Sequence, residues 1–334
     1  MAQEVKEYDD LDAAGEDAAG ALDRETRPSL FDRLSWFRLI QAYCPPSGRP
    51  LILRARDGEA RAWLFLSRRG RHAEALASWY TLRYGAIVDG EAPSLPAALA
   101  GALRERVATA DLYPLAEGDG LAESFRRAGW LTIVEPAGTS WRIATYGMTF
   151  AAYWAGRPSR LRNTGERKAK AAKLDVAVHT VFDEAAWADY EKVYRASWKP
   201  EEGSAAFLRA LAEQEGEAGT LRLSIASKDG EPLAAQLWLI ENGTATIHKL
   251  AYVAEAKAMS PGTVLSMAMF RHALDVDHVR LIDFGLGDDG YKAEWMEEKR
   301  PVLRLRAFNP ATMSGLYLFA RAKASALVRR RRTD

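Results

Sequence analysis

Apolar residues recur along the chain in two spacings, one typical of strands and one typical of helices. In the first half, the segments 51–56 and 60–66 alternate around Asp57-Gly58, a pair that favours a hairpin turn. A helix is predicted to start at Pro28-Ser29, with Leu30, Leu34, Phe37 and Ile40 at helical spacing. Further predicted strands in this half are 73–80, 111–115, 130–135 and 141–146, and further helices are 93–107 and 120–128.

The second half repeats this alternation from about residue 149. Lys228-Asp229-Gly230 marks a second hairpin turn between two apolar segments. The predicted strands are 175–181, 220–226, 232–240, 244–252, 279–285 and 302–308. The predicted helices are a connecting pair over 149–173, then 183–198, 204–215, 261–275 and a C-terminal helix.

Both halves follow one order: helices, a hairpin, another strand, a helix and a strand. This shared order predicts an α/β (α+β) protein built from two copies of one unit, each a mixed, mostly antiparallel sheet flanked by helices. We place an N-terminal domain at 29–148, a C-terminal domain at 149–325 and a basic tail at 326–334. Residues 1–28 are rich in Ala, Gly, Asp and Glu, and we expect an acidic disordered tail there.

Composition narrows the class of protein. The chain has 334 residues, of which 48% are hydrophobic and 27% charged, as in ordinary globular proteins. Its net charge of +1 argues against general nucleic-acid binding. A single cysteine, Cys44, excludes an intrachain disulfide and a cysteine-rich metal site. We find no metal-ligand spacing, no apolar segment long enough to span a membrane and no signal pattern, and we therefore expect a metal-free cytoplasmic protein.

Candidate chemistry is concentrated near the end of the second half. The predicted strand 281–284 carries one carboxylate, Asp283, and is followed by a glycine-rich loop that ends in Tyr291 and Lys292. Ligands of open α/β sheets lie beyond the carboxyl ends of strands, where this loop is expected. His248, on the strand 244–252, is a second candidate base because imidazole titrates near neutral pH. A structural role remains open for each of these side chains, above all pairing of Asp283 with a lysine or a backbone amide.

The turn Ser260-Pro261-Gly262-Thr263 opens the predicted helix 261–275. Backbone N–H groups at a helix start, here those of Ser260, Gly262, Thr263 and Val264, can hold a phosphate. Pro261 has no N–H, and the turn contains one glycine, so the set of donors is small. A helix start with no ligand is the structural alternative.

Three residues are candidates for contact with a substrate. Gln236 and Trp238 share one face of the predicted strand 232–240, and Arg160 lies in a basic segment. That segment contains Arg157, Arg160, Arg162, Arg167, Lys168, Lys170 and Lys173. It is interpreted either as a solvated helix face or as a binding surface for an anionic partner.

Taken together, several segments resemble the GNAT superfamily of acyltransferases. They are HKLAY at 248–252, SPG at 260–262, DFGLGDDGYKAEW at 283–295, and YW followed by SRLRNT within 153–164. The chain resembles most the branch labelled BcsL/CelD-type acetyltransferases, associated with cellulose and exopolysaccharide biosynthesis. That branch is related to the FemAB aminoacyltransferases, which carry two GNAT-like halves.

The resemblance implies two tandem GNAT-like domains and an acetyl-CoA or other acyl-CoA donor attacked directly by an amine or hydroxyl. It implies that the 260–264 turn holds the donor pyrophosphate and that Tyr291 protonates the departing thiolate. The implied acceptor is a small molecule or a glycan- or lipid-linked group of the cell envelope, and an acyl carrier protein is a possible partner. Two alternatives stay open: a FemAB-like aminoacyl-tRNA-dependent transferase, the one case that involves nucleic acid, and a degenerate non-catalytic scaffold.

Overall fold

The structure is a computed structural model that describes residues 4–330, with side chains described as far as residue 325. Its strands are β1 (Glu4–Tyr8), β2 (Arg49–Asp57), β3 (Ala60–Arg69), β4 (His72–Ala75), β5 (Ile87–Asp89), β6 (Thr109–Ala116), β7 (Leu131–Ala144), β8 (Asp175–His179), β9 (Leu221–Lys228), β10 (Glu231–Glu241), β11 (Thr244–Tyr252), β12 (Leu281–Leu286) and β13 (Glu298–Phe308). Its α-helices are α1 (Leu11–Ala18), α2 (Leu34–Tyr43), α3 (Leu95–Arg106), α4 (Leu121–Arg127), α5 (Phe150–Ala155), α6 (Ser159–Ala172), α7 (Glu184–Arg195), α8 (Ala205–Glu217), α9 (Pro261–Arg271), α10 (Lys292–Trp295) and α11 (Met313–Arg330).

The chain divides into two compact units. The first contains residues 1–138 and 301–334, and the second contains Thr139–Arg300. The predicted boundary at 148/149 is therefore about ten residues too late, and the prediction that the second domain continues to 325 is wrong. The physical reason is strand pairing, because residues 302–308 of β13 pair with β6 of the first unit. Helix α11 runs on through Arg330, so 326–330 continue a helix, and the rest of the predicted basic tail lies outside the described residues.

In the first unit the sheet order is β1-β2-β3-β4-β6-β13, with β5 paired to β3. The described neighbours pair antiparallel except β4 and β6, which are parallel. Helix α3 packs on β2 and β3 through Leu95, Leu99 and Leu103, which are fully buried. The regularly spaced apolar residues of the predicted helix 93–107 thus form the face of α3 that packs on the sheet.

The prediction of a disordered tail at 1–28 is wrong for residues 4–28, and residues 1–3 lie outside the described part of the chain. Strand β1 pairs with β2, and helix α1 buries Leu11, Ala14 and Ala18. Small residues here permit close packing: a Cβ added at Gly15 would stand 2.4 Å from Leu34 Cδ2. Asp17 accepts a hydrogen bond from Arg54 Nε at 2.9 Å, so an acidic residue of this segment neutralises a buried guanidinium.

In the second unit the sheet order is β7-β12-β11-β10-β9-β8, where β7 contributes residues 140–144. These strands pair antiparallel except β11 and β12, which are parallel. Helices α7 and α9 pack on the sheet, and the core beneath α9 is aromatic, with Tyr153, Trp238 and Phe270 fully buried. Both units therefore have a mixed, mostly antiparallel sheet with flanking helices, as the sequence predicts.

Three predicted elements differ in extent. The segments predicted as separate strands at 130–135 and 141–146 form the one strand β7. The predicted strand 73–80 ends at Ala75, and the predicted helix 261–275 continues beyond Arg271 as a π-helical turn, His272–Val276. Among the described residues no helix is long and apolar enough to cross a membrane.

Candidate active site

The centre of the second unit is a wedge between two parallel strands. Strands β11 and β12 are paired only at Thr244–Leu281, Ala245–Ile282 and Thr246–Asp283. Beyond this last pair β11 continues to Tyr252 and β12 to Leu286, each without pairing to the other. Asp283 therefore lies at the point where the strands part, and the residues that follow on each strand face a gap in the sheet.

His248 stands in a β-bulge on one side of this wedge. Leu237 of β10 pairs with Lys249, whereas the next residue, Trp238, pairs with Ile247, so His248 is an extra residue in β11. A bulge bends a strand and redirects its side chains, and the simple alternation predicted for 244–252 is interrupted here. Burial, with a smaller contribution from the positive charge of Lys249, lowers the pKa of His248 to about 3. The imidazole is therefore neutral at neutral pH and a poor proton acceptor in this environment.

The pKa of Asp283 is shifted in the opposite direction from that of His248. Burial raises its pKa, and the Gly285 N–H, Arg142 and Lys292 oppose this effect. Its Oδ1 accepts a hydrogen bond from Gly285 N at 2.8 Å, which is the backbone-amide partner that the sequence left open. Of the two nearby lysines, Lys249 forms an ion pair with Glu202 at 2.8 Å, and Lys292 affects Asp283 through its charge. A carboxylate with a raised pKa at the apex of a wedge is the better base of the two candidates.

Lys292 holds the glycine-rich loop in place. Its side chain is 5% exposed, and Nζ donates to Leu286 O at 2.7 Å and to Phe284 O at 3.3 Å. Lys292 is therefore not a solvent-exposed lysine, and its charge is directed at the strand carbonyls. Gly287, with φ of 113°, gives the loop a backbone conformation that side-chain-bearing residues rarely adopt.

Tyr291 is the accessible member of the loop. It is 41% exposed, and its ring contacts Phe284 edge-on with centroids 5.7 Å apart. Burial and, next, the negative charge of Asp289 raise the pKa of Tyr291. The phenol is therefore protonated over the physiological range and is available as a hydrogen-bond donor.

Tyr252, at the end of β11, connects the parts of the site, and the sequence analysis did not identify it. A Cβ added at Gly262 in the first turn of α9 would stand 3.0 Å from Tyr252 Cδ1. The Trp198 ring lies 6.3 Å from the Tyr252 ring, centroid to centroid, and Tyr252 is close enough to Tyr291 to contribute to the raised pKa of Tyr291. The sequence signal that could have identified Tyr252 is an aromatic residue at the end of a predicted strand, shortly before the predicted turn.

The turn before α9 offers fewer donors than its sequence suggests. Ser260 adopts a left-handed conformation with φ of 54°, and its N–H donates to Lys257 O at 3.0 Å. The N–H groups of Thr263 and Val264 both donate to Ser260 O, at 3.1 and 3.2 Å. Within the described residues, Gly262 N–H is the member of the predicted set without a recorded acceptor. The predicted residues lie together in one turn, where one N–H and the positive end of the helix dipole would be available to an anion.

Two predicted substrate contacts lie inside the core. Gln236 and Trp238 are both fully buried. Gln236 Nε2 donates to Ser266 Oγ at 2.8 Å, and Gln236 Oε1 accepts from Trp238 Nε1 at 2.8 Å. This network fastens β10 to α9 and satisfies both side chains, so the prediction that they contact the acceptor is wrong.

The basic segment forms helix α6 next to the Ser260 turn. Lys168 Nζ donates to Ala258 O, two residues before Ser260. Arg160 is exposed in the first turn of α6, whereas Arg157 precedes the helix and is buried, donating to Trp295 O at 3.2 Å and pairing with Glu297. Placing Arg157 on the solvated basic face was therefore incorrect, because its guanidinium closes the core beside Tyr153.

The family model of the acetyltransferase (GNAT) domain matches residues 158–293, which lie within the second unit. No curated protein matches the chain in sequence. The predicted resemblance to GNAT acyltransferases is thereby confirmed for this segment. It contains the wedge, the turn before α9 and the loop that ends in Tyr291 and Lys292.

Similar solved structures extend the likeness to both units. FemX has a TM-score of 0.62 at 11% identity, covering 91% of this chain and 97% of its own. A tandem GNAT protein from the clavulanic acid biosynthesis pathway has a TM-score of 0.51 at 16% identity, covering 91% and 98%. L-PGS from Bacillus licheniformis has a TM-score of 0.52 at 13% identity, covering 82% and 88%. Such identities show the fold alone, and the predicted fold of two tandem GNAT-like domains is confirmed.

Proposed function

We propose that this protein is an acyl-CoA-dependent N- or O-acyltransferase whose chemistry takes place in the wedge between β11 and β12. The observation that carries the proposal is the geometry of that wedge. Two parallel strands part at Asp283, beside a bulge at His248, and the end of β11 at Tyr252 lies against the first turn of α9. The match of residues 158–293 to the acetyltransferase (GNAT) domain supports the same assignment.

The donor is acetyl-CoA or a longer acyl-CoA, which supplies the activated acyl group as a thioester. Its pyrophosphate would be held at the first turn of α9, where Gly262 N–H and the helix dipole favour an anion. The neighbouring helix α6 adds positive charge through Lys168 and the exposed Arg167. These basic groups would offset the small number of N–H donors in the turn.

In the proposed reaction the acceptor nitrogen or oxygen attacks the thioester carbonyl carbon, and the carbon–sulfur bond breaks. Asp283 takes the acceptor's proton, because its raised pKa makes it the stronger base. His248 remains neutral and orients the acceptor through a hydrogen bond. Tyr291 donates its hydrogen bond, and then its proton, to the departing thiolate.

We further propose an acceptor from cell-envelope or exopolysaccharide assembly, either a small molecule or a glycan- or lipid-linked group. This part of the proposal rests on the BcsL/CelD-like segments at 248–252 and 283–295. An acyl carrier protein is an alternative donor, and the basic face of α6 would suit its acidic surface.

Calorimetric titration with CoA and acetyl-, octanoyl- and palmitoyl-CoA tests the donor. A ligand at 100 times its dissociation constant adds about 2.7 kcal/mol of stability, which thermal unfolding detects. Transfer is then followed by thiol release with a panel of amine and hydroxyl acceptors. Asp283→Asn should lower the rate about 10²–10⁴-fold, and Asp229→Asn, in an exposed hairpin turn, is the matched control. Absence of any shift with every acyl-CoA would refute the proposal.

One observation favours a second candidate, a FemAB-like aminoacyl-tRNA-dependent transferase. Helix α6 presents Arg160, Arg167 and Lys170 to solvent beside a turn with few phosphate donors. Retention of labelled aminoacyl-tRNA, weakening steeply as salt rises, would support this candidate. Binding of acyl-CoA with no retention of tRNA would exclude it.

A further inference from the structure

A cavity of about 450 Å³ lies in the second unit between helix α7, helix α8 and the segment that joins them. One wall is aromatic and consists of Trp187, Tyr190 and Tyr194 from a single face of α7. Lys199, from the joining segment, lines the same cavity. An apolar wall with a few polar groups is the usual character of a small-molecule site.

The cavity adjoins the proposed reaction centre. The joining segment is bridged to the end of β11 by Ser197 and Val253, and the Trp198 ring lies against Tyr252. At its other end Glu202, which lines the cavity, pairs with Lys249 at 2.8 Å. Lys249 is the residue that follows His248, so the cavity lies directly beside the bulge.

The charges around the cavity leave one cation available. Glu202 is neutralised by Lys249, and Glu191 lies 3.9 Å from Arg195. Glu201, the third carboxylate lining the cavity, is exposed. No carboxylate among residues 4–325 lies within 4.0 Å of Lys199 Nζ. The Lys199 ammonium is half-buried, its nearest recorded ring contact being Trp198 at 5.8 Å.

The surroundings penalise this unpaired charge. Burial, followed by repulsion from Lys249 and Lys292, lowers the pKa of Lys199 to about 8, although the negative charges of Asp289 and Glu202 act in the opposite direction. A bound anion would relieve both the desolvation and the repulsion. Half-buried cations without a counter-ion are costly, and a ligand that supplies the missing charge binds with corresponding strength.

We propose that this cavity is the acceptor pocket and that Lys199 selects acceptors bearing an anionic group, a carboxylate or a phosphate. The aromatic wall would hold the apolar or ring-shaped part of the same molecule. This inference rests on the proposed acyltransferase function and specifies the class of its acceptor. Lys199 is the specificity-determining residue, because it lines the cavity and forms no ion pair with a carboxylate within 4.0 Å among the described residues.

Phenyl phosphate, phenylacetate and the neutral benzyl alcohol are suitable probes, since each pairs a ring with a different polar group. Binding is measured by calorimetry and by tryptophan fluorescence, with Lys199→Met, Lys199→Arg and the control Lys192→Met. Lys192 lies on α7, which forms a wall of the cavity, but its side chain is exposed and pairs with Glu231 outside the cavity. All variants are first compared with the wild-type protein by circular dichroism and thermal unfolding.

We expect Lys199→Met to weaken binding of the anionic probes about tenfold or more, and Lys199→Arg to restore it to within about threefold. Lys192→Met should bind like the wild type, and benzyl alcohol should not distinguish the variants. Whichever of phenyl phosphate and phenylacetate binds more tightly identifies the preferred anion. Equal binding of both anions to the wild-type protein and to Lys199→Met would overturn the inference, as would absence of binding at about 10 mM.

If Lys199→Met does not fold, the wild-type protein gives a second measurement. Acetylation of Lys199 by acetic anhydride, quantified by mass spectrometry, should be slowed by phenyl phosphate and unaffected by benzyl alcohol. Unchanged labelling with phenyl phosphate would again overturn the inference.

Acetyl-CoA titration of the same proteins separates the two proposals. Acetyl-CoA binding without anion preference in the cavity leaves the proposed function intact and refutes the acceptor class. Anion binding without any acyl-CoA binding refutes the transferase assignment instead.

Discussion

Replacing the histidine of the β-bulge should make the protein less sensitive to acid. His248 has a pKa of about 3 in the folded chain against 6.5 for an unperturbed histidine. Below pH 6.5 the unfolded chain therefore takes up a proton that the folded chain refuses. By linkage, stability is lost at about 1.4 kcal/mol per pH unit as the pH falls from 6.5 towards 3. Between pH 7 and pH 5 this single group should cost about 2 kcal/mol.

The variant His248→Gln removes the titrating group and keeps a neutral side chain of similar size. Urea unfolding of the wild-type protein and the variant at pH 7, 6, 5.5 and 5 gives the free energy of unfolding at each pH. Each resolved transition is fitted separately, because a chain of two units need not unfold in one step. The difference between the proteins should shift by about 2 kcal/mol in favour of the variant from pH 7 to pH 5. His278→Asn, at an exposed turn, is the control and should run parallel to the wild type.

Parallel profiles for His248→Gln and the wild-type protein would refute this reasoning. They would mean that the imidazole takes up a proton in the folded chain as readily as in the unfolded chain. His248 would then return as a candidate base for the transfer reaction, and the assignment of that role to Asp283 would lose its electrostatic support. The stability experiment therefore bears directly on which group deprotonates the acceptor.

Three further substitutions test other parts of the structure. Gly262→Ala should weaken acetyl-CoA binding about tenfold in calorimetry, because the new Cβ lies 3.0 Å from Tyr252 and displaces the first turn of α9; unchanged affinity would count against that turn as the donor site. Gly101→Ala, where a Cβ meets nothing within 4 Å, should raise the free energy of unfolding by about 0.5–1 kcal/mol, and a loss would contradict a regular helix there. Asp17→Asn should lower it by about 1.5–3 kcal/mol in urea unfolding, since Arg54 loses a charged partner; no change would mean that the N-terminal segment adds little stability.

The order of elements could be predicted where apolar spacing is regular. The hairpin around Lys228-Asp229-Gly230 was predicted at 220–226 and 232–240; β9 begins one residue later and ends two residues later than predicted, and β10 is one residue longer at each end. Both strands are apolar segments bounded by turn residues, and most of their side chains are buried, so their position could be predicted from the sequence. The prediction for the N-terminal segment failed because that segment has few large apolar residues. Its alanines and Gly15 bury little area each, and their value lies in close contact with α2, which composition does not reveal.

The sequence predicts where the candidate site lies better than it predicts the contacts of its side chains. Asp283, Tyr291 and Lys292 are close in the chain, so any fold would bring them to one region. The role of Lys292 depends on the carbonyls of Phe284 and Leu286, which are specified by backbone geometry. The bulge at His248 depends on register with β10, which is a relation between distant segments.

Each unit contains one pair of parallel strands, β4 and β6 in the first and β11 and β12 in the second. The two pairs end differently, and this difference supports the placement of the proposed chemistry in the second unit. In the first unit β4 pairs with β6 and ends at Ala75. The chain then returns Tyr84 opposite Leu115, with Tyr84 N–H donating to Pro114 O at 2.7 Å and its hydroxyl donating to Phe65 O. Backbone groups exposed by parting strands need partners, and here the chain itself provides them with a residue that is 4% exposed. In the second unit β11 runs on to Tyr252, and among the described residues no isolated bridge closes the wedge; the β12 carbonyls of Phe284 and Leu286 accept hydrogen bonds from the Lys292 side chain instead. The parted strands of the second unit are therefore not closed by a returning segment, which supports placing the proposed chemistry there.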